Sequence, residues 1–320
     1  MTHVYTPAQQ PTIYFIGVTT SHSSIMKVFP EWARALGLED AVIKGIDFRP
    51  HSSAEEYREA VEFIKNDPMS CGALVTTHKL DLYRTCEDLF DYIDPFAAQL
   101  GEVSSISKKD GLLRAHAKDP ISSGLALERF VPKHYWKDYG GDVLLLGAGG
   151  SSLAMTVYLT QEKLADNIPE HIIIANRSQA RLDDAAVKLA DASERTRLEF
   201  LLSPAPEDND RILASLKPHS LIVNATGLGK DVPGSPLTDA CSFPEESLVW
   251  EINYRGDLLF KQQAEAQAVR KRLHVEDGWT YFIHGWTQVI AEVFHVPIGR
   301  EKLDELSEIA RTYSSRKTVA

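Results

Sequence analysis

Lys79 is the first residue in this chain whose type and place together suggest chemistry. In "ALVTTHKLDLY", residues 73–83, an apolar run leads into two threonines, a histidine and then Lys79, where extended spacing gives way to helical spacing. At the end of a buried strand its ammonium would sit at the rim of a cleft rather than in open water. On residue type alone it reads equally as a solvated lysine at a helix start and as a proton-transferring group. A second chemistry is signalled by "VLLLGAGGSSLAMTVYL", residues 143–159, in which an apolar strand is followed by Gly147, Gly149, Gly150, Ser151 and Ser152 and then by a helix. Glycines there let the backbone turn tightly and approach a pyrophosphate, whose charge is met by free N–H groups and the positive end of the helix dipole. The next apolar run ends "IIIANRSQARL", offering Asn176, Arg177, Ser178 and, one turn on, Arg181. NAD-binding units usually place a carboxylate here for the ribose hydroxyls, whereas two guanidiniums and a hydroxyl suit a 2′-phosphate, so NADP is the expected cofactor.

The elements that must hold these groups follow a β-α-β rhythm. Short apolar runs at 13–17, 41–48, 72–76 and 112–117 alternate with helical spacing such as "SAEEYREAVEFIKND" at 53–67. A second set of strands is expected at 142–147, 171–176, 198–202, 220–226 and 247–252, again with helices between them. Apolar strands alternating with helices suit parallel sheets covered on both faces, hence a two-domain α/β protein. The expected division is a substrate-binding α/β domain over 1–119, completed by C-terminal helices over 275–320, and a Rossmann dinucleotide-binding domain over 120–274. The aromatic, basic segment 128–142 is the expected crossing between them. After residue 256 strand signals fade, and three helices are expected.

Composition sets the outer limits. A chain of 320 residues is long enough for two domains with real cores, and its formal charge of −11 argues against nucleic acid, which needs a basic face. Cys71, Cys86 and Cys241 are far apart and in no metal-like spacing, so free thiols in a reducing cytoplasm are expected and no metal site is. The N-terminus lacks a secretory pattern and no run approaches a membrane span, so the expectation is a cytoplasmic protein with no membrane partner. A small molecule is the expected partner, and a homodimer is left open.

The order of motifs resembles the shikimate and quinate dehydrogenase family over nearly the whole chain. The resemblance rests on "GVTTSHSS" (17–24), "ALVTTHK" (73–79), "AKDPISSG" (117–124), "GAGGSS" (147–152), "NRSQAR" (176–181), "VNATGLG" (223–229), "WEINY" (250–254) and "DGWTYFIHG" (277–285), met in family order. It implies that Lys79 and Asp119 face each other across a cleft at the substrate hydroxyl while the nicotinamide takes or gives hydride. Oxidising an alcohol with NADP releases a proton, so a group that accepts it and returns it in reverse is required. The resemblance further implies cofactor contacts from Asn224, Ala225, Thr226 and Gly278, and substrate contacts from Ser23, Thr76, Ser104 and Tyr254.

Departures from the family pattern point to a retuned pocket. Ile25 stands where a second serine is usual, Leu74 and Ser104 replace asparagines, and Gly285 replaces a glutamine. Left unpaired, a substrate hydroxyl costs about 1 to 3 kcal/mol. The expectation is an NADP-dependent oxidoreductase acting on a small cyclic or polyhydroxylated alcohol or its ketone. A catalytically silent NADP-binding sensor and an NAD-dependent quinate or cyclitol dehydrogenase are the alternatives. His22, His78 and His284 are expected to be structural or rim residues rather than catalysts.

Overall fold

The computed structural model describes residues 5–230 and 232–314. Its described residues fall into two compact units, one running to Lys118 and resuming at Gly285, the other spanning Asp119–His284.

In the first unit the run TIYFIG, buried at every position, forms β1 (Thr12–Gly17). It is followed by α1 (Ile25–Ala35), β2 (Val42–Asp47), α2 (Ala54–Asn66), β3 (Ser70–Val75), α3 (Lys79–Cys86), β4 (Tyr92–Ile93), α4 (Pro95–Leu100), β5 (Ser105–Lys109) and β6 (Leu112–His116). The sheet order is β2-β1-β3-β5-β6-β4. Helix α2 starts on a reciprocal cap: Ser53 Oγ accepts from the Glu56 amide and Glu56 accepts from the Ser53 amide. Its buried stripe of Tyr57, Ala60, Val61 and Ile64 packs with Tyr14, Ile16 and Ile106 of the sheet. The sheet is mixed rather than parallel throughout, because β5 runs antiparallel to both β3 and β6. Its sequence, SISKK, carries no apolar run. The hairpin into β6 turns on Asp110 and Gly111, both left-handed at φ 53° and 78°.

The second unit begins with α5 (Asp119–Phe130) and α6 (Tyr135–Tyr139), followed by β7 (Val143–Leu146), α7 (Gly150–Leu159), β8 (His171–Asn176), α8 (Gln179–Lys188), β9 (Arg197–Leu202), α9 (Pro206–Ser215), β10 (Leu221–Asn224), β11 (Leu248–Glu251), α10 (Leu259–Lys271) and β12 (His274–Glu276). All its strand pairs are parallel, in the order β12-β11-β10-β7-β8-β9. The order reverses between β7 and β10, and in such sheets ligands bind at the carboxyl ends of the strands beside that reversal. The segment 128–142 lies inside this unit instead of crossing out of it. Phe130 packs on Trp250, the Tyr135 hydroxyl donates to the Glu246 carbonyl, and Tyr135 and Trp136 are buried, so most of its aromatic residues serve this unit's core. Strand β12, short and polar, was not expected from the sequence.

Two helices end the described chain, α11 (Trp279–Phe294) and α12 (Arg300–Ser314). The division between units falls at His284 and Gly285, inside α11 rather than ahead of it. Trp32 Nε1 of α1 donates to the Leu306 carbonyl of α12 at 2.8 Å, fastening the last helix to the first unit. Among the described residues no helix is long and apolar enough to cross a membrane.

Candidate active site

The glycine turn is built for a close backbone approach. Gly147 has φ +108°, and a Cβ there would stand 2.9 Å from the Ala225 carbonyl oxygen. Gly149 caps α7, and a Cβ there would meet open space. A ligand backbone of phosphates fits such a cradle, lined by the first N–H groups of a ten-residue helix. Gly150 opens that helix and Ser151 is half-buried beside it. Ser152 is fully buried and donates to the Gly147 carbonyl at 2.6 Å, so it braces the turn from behind.

At the end of β8 the Asn176 amide donates to the Ser178 carbonyl, and Ser178 caps α8. Arg177 and Arg181 are exposed, and among the described residues no carboxylate pairs with either. Two uncompensated guanidiniums flanking a helix start fit a phosphate group.

The segment 224–229 hangs from a buried polar cluster. Asn224 ends β10 and Glu251 ends β11; both are fully buried. Glu251 accepts from Asn224 Nδ2 at 2.6 Å, from Asn253 Nδ2 at 2.6 Å and from the Asn253 amide at 2.9 Å. Asn224 Oδ1 in turn accepts from the Thr226 amide and hydroxyl, and the Leu228 amide donates to Thr226 Oγ1. Asn253 Nδ2 also reaches the Thr226 and Leu228 carbonyls. Burial pushes the Glu251 carboxyl up to about 7; the bonds from Asn253 and Asn224 oppose the rise and Asp257 adds to it. Gly278 is held against the Ile252 carbonyl, with no room for a side chain. Tyr254 is half-buried against Phe282 and Trp279, with ring centroids at 4.5 and 6.0 Å.

In the first unit Lys79 is half-buried at the first position of α3, its amide donating to Thr76 across a tight turn from β3. Thr76 Oγ1 and its own amide both donate to the Ile16 carbonyl, which pins that turn to β1. His78 is buried, shares a 2.8 Å hydrogen bond between Nδ1 and the Tyr57 hydroxyl, and packs on Phe48. Burial holds its pKa below the ordinary value, as suits a neutral core histidine. Ser23 is half-buried after a short turn, and His22 is exposed. Ser104 is buried, its hydroxyl accepting from the Lys118 amide at 2.7 Å and donating to the His116 carbonyl. In the second unit Asp119 is half-buried at the start of α5, where unpaired N–H groups suit a carboxylate. His284 is buried, and burial together with Arg129 pushes its pKa down to about 4.

Sequence reasoning missed a buried charge cluster directly before Asp119. His116 bonds Asp94 through Nδ1 at 3.2 Å and Glu292 through Nε2 at 3.1 Å, while Lys118 Nζ meets Glu292 at 2.6 Å. Burial works against a charge on His116, but its carboxylate bonds outweigh that and raise its pKa. Bonds from His116, and after them from Lys118, hold the Glu292 carboxyl far below the usual range despite burial. Two acids and two bases thus balance in one pocket of the first unit. The only sequence signal was the alternation in "AHAKD", which puts His116 and Lys118 on one face of an extended segment. Asp94 and Glu292 are too distant in sequence to be linked to it by spacing.

No family model matches the chain. A shikimate dehydrogenase (NADP(+)) from Paramagnetospirillum magneticum is 28% identical over 280 residues, 84% of this chain and 87% of that protein. Over most of its length the chain is similar to that shikimate dehydrogenase. A shikimate dehydrogenase (NADP(+)) from Lactococcus lactis subsp. cremoris is 30% identical over 165 residues, 52% of this chain and 54% of that one, so the chain spans about half the length of that relative. The solved quinate dehydrogenase from Corynebacterium glutamicum in complex with NAD shares the fold, with a TM-score of 0.71 at 18% identity over 95% of this chain and 99% of that one. The departures from that family pattern have places in the fold. Ile25 and Leu74, at 0 and 6% exposure, belong to the core, so their apolar character is matched by packing. A Cβ on Gly285 would touch nothing within 4 Å.

Proposed function

We propose that this protein is an NADP-dependent dehydrogenase of the shikimate dehydrogenase type, interconverting a small cyclic or polyhydroxylated alcohol and its ketone. The observation that carries the reading is the pairing, in one parallel sheet, of an open glycine cradle at Gly149 with the unpaired Arg177 and Arg181 at the end of the next strand. NADP, when bound, supplies the hydride acceptor or donor. Gly147, Gly149, Gly150 and Ser151 hold its pyrophosphate, and Arg177, Ser178 and Arg181 its 2′-phosphate. The carbinol carbon gives up hydride and its hydroxyl gives up a proton, and Lys79 and Asp119 are assigned to that proton, as in the family the chain resembles. Ser23, Thr76 and Tyr254 offer hydroxyls to the substrate. Ser104, tied to Lys118 and His116, is assigned to shaping the chain before Asp119 as well. The three free thiols support a reducing, cytoplasmic setting. A homodimer stays open and sedimentation decides it.

The test follows NADPH absorbance with shikimate, quinate and a panel of cyclitols and hydroxy acids. The reading expects turnover of at least one of them with NADP preferred over NAD. NADPH binding without turnover of any would favour the silent sensor, which the loss of a side chain at Gly285 supports.

A further inference from the structure

We propose that Glu251 is a positioning residue for the cofactor loop, its carboxylate orienting the Asn224 amide so that residues 224–229 keep the conformation that receives the dinucleotide. This rests on the cofactor reading above for the purpose of the loop, and on the hydrogen bonds alone for the mechanism. Asn224 Nδ2 donates to Glu251 at 2.6 Å while its Oδ1 accepts from the Thr226 amide and hydroxyl. One side chain therefore carries a signal from a buried acid to the loop. An ionised Glu251 can only accept, which fixes Nδ2 toward it and leaves Oδ1 for Thr226. A protonated Glu251 carries a donor and favours Asn224 turned over, with Oδ1 toward the acid. Thr226 would then lose its acceptor, and the Leu228 amide, which leans on Thr226 Oγ1, would lose its support with it.

The groups around Glu251 make ionisation a choice between close alternatives. Neither β10 nor residue 253 offers it a cation, only the neutral amides of Asn224 and Asn253. Asp257, in the following loop, opposes its charge. On the other side β12 sets Glu276 beside Trp250, and Glu276 is bonded to His274 at 2.9 Å. The carboxyl thus titrates near neutral pH, where the fully buried site leaves its charge to be met by amide donors alone.

Amide hydrogen exchange of the protein without cofactor reads the loop directly. Corrected for intrinsic rates, protection at Thr226 and Leu228 should fall about tenfold between about pH 8 and about pH 6, and Glu251→Gln should remove that dependence and leave the loop weakly protected throughout. Glu251→Asp, which keeps the acceptor, should restore part of it. NADPH and NADH titrations of the same proteins should weaken in parallel as pH falls, NADH serving to exclude titration of the 2′-phosphate. Should Glu251→Gln fail to fold, the wild-type exchange profile still decides. Protection that is flat with pH in wild type, or unchanged in a folded Glu251→Gln, overturns the proposal. Wild-type protein that shows the exchange profile yet binds neither dinucleotide overturns the cofactor reading instead.

Discussion

Arg177 and Arg181 share the lack of a paired carboxylate with exposed Arg49, Arg84, Arg270 and Arg300, and what sets these two apart is their place at the end of β8, the strand paired with β7 ahead of the glycine turn. Arg34, Arg211 and Arg272 each pair with an acid close by, whereas no described acid pairs with these two. A guanidinium kept uncompensated at a helix start suits an incoming anion. Charge-assisted bonds are worth about 1.5 to 3 kcal/mol, and exposure puts these at the lower end. Arg177→Ala with Arg181→Ala should therefore raise the KM for NADP about tenfold to a hundredfold while moving that for NAD by less than about threefold. Steady-state kinetics with both cofactors checks it, and equal effects would reassign the end of β8. Lys79 belongs to a different step. If it handles the proton, Lys79→Ala should lower kcat by about a hundredfold to ten-thousandfold with NADPH affinity, by fluorescence titration, nearly intact. Asp119→Asn should behave alike, and near-normal turnover in either variant would make the pair structural.

At the scale of elements, α11 holds the clearest vacancy. Gly285 lies within that helix, and nothing stands within 4 Å of where its Cβ would be. Gly285→Gln should thus raise the midpoint of unfolding slightly, since glycine in a helix interior costs about 0.5 to 1 kcal/mol relative to ordinary residues. It should also shift relative kcat/KM toward shikimate if the missing side chain sets selectivity; a gain in stability with selectivity unmoved would place selectivity elsewhere. Ile25→Ser is a different experiment, because Ile25 is wholly buried at the start of α1 and its loss removes core. The sequence pattern showed most elements in the same way that it showed β8, an apolar run bounded by polar residues. It hid β5, which is held by strand pairing and by the Ser107 hydroxyl bonded to His116 and Glu292 rather than by an apolar run. "DG" at 110–111 was the one available hint of that hairpin. The glycine turn and the arginines were legible because their chemistry is local in sequence. The cluster of Asp94, His116, Lys118 and Glu292, and the burial of Glu251, were not, because both depend on which distant residues the fold brings together.

For the molecule as a whole, two buried groups of the second unit pull stability in opposite directions over the same pH range. The pKa of His284 drops from 6.5 to about 4 on folding, so the unfolded chain binds its proton first and stability falls as pH drops through that interval. Glu251 rises from 4.5 to about 7, so the folded chain holds the extra proton and stability grows as pH drops through that interval. Between about pH 5 and about pH 6.5 each contributes one proton of opposite sign, and the two slopes cancel. The Glu292 carboxyl, held low in the fold, adds its loss below its ordinary value of 4.5, outside this window. His116, with its folded pKa raised, contributes stability that is lost as pH rises through that value, largely above the window. His78 of the first unit, its pKa also lowered by burial, adds a loss of stability as pH falls below its ordinary value, so wild-type unfolding free energy, from denaturant titration, should decline there only by that group's share. Glu251→Gln removes the opposing group and leaves His284 and His78 unopposed, so its stability should fall more steeply than that of wild type, by at least about 1.4 kcal/mol for each pH unit lost. A variant as flat as wild type would show both that Glu251 takes up no proton in the window and that the buried histidines do not resist protonation. A wild type with the steep slope already present would point to Glu251 alone, and would set its pKa in the folded protein below the window.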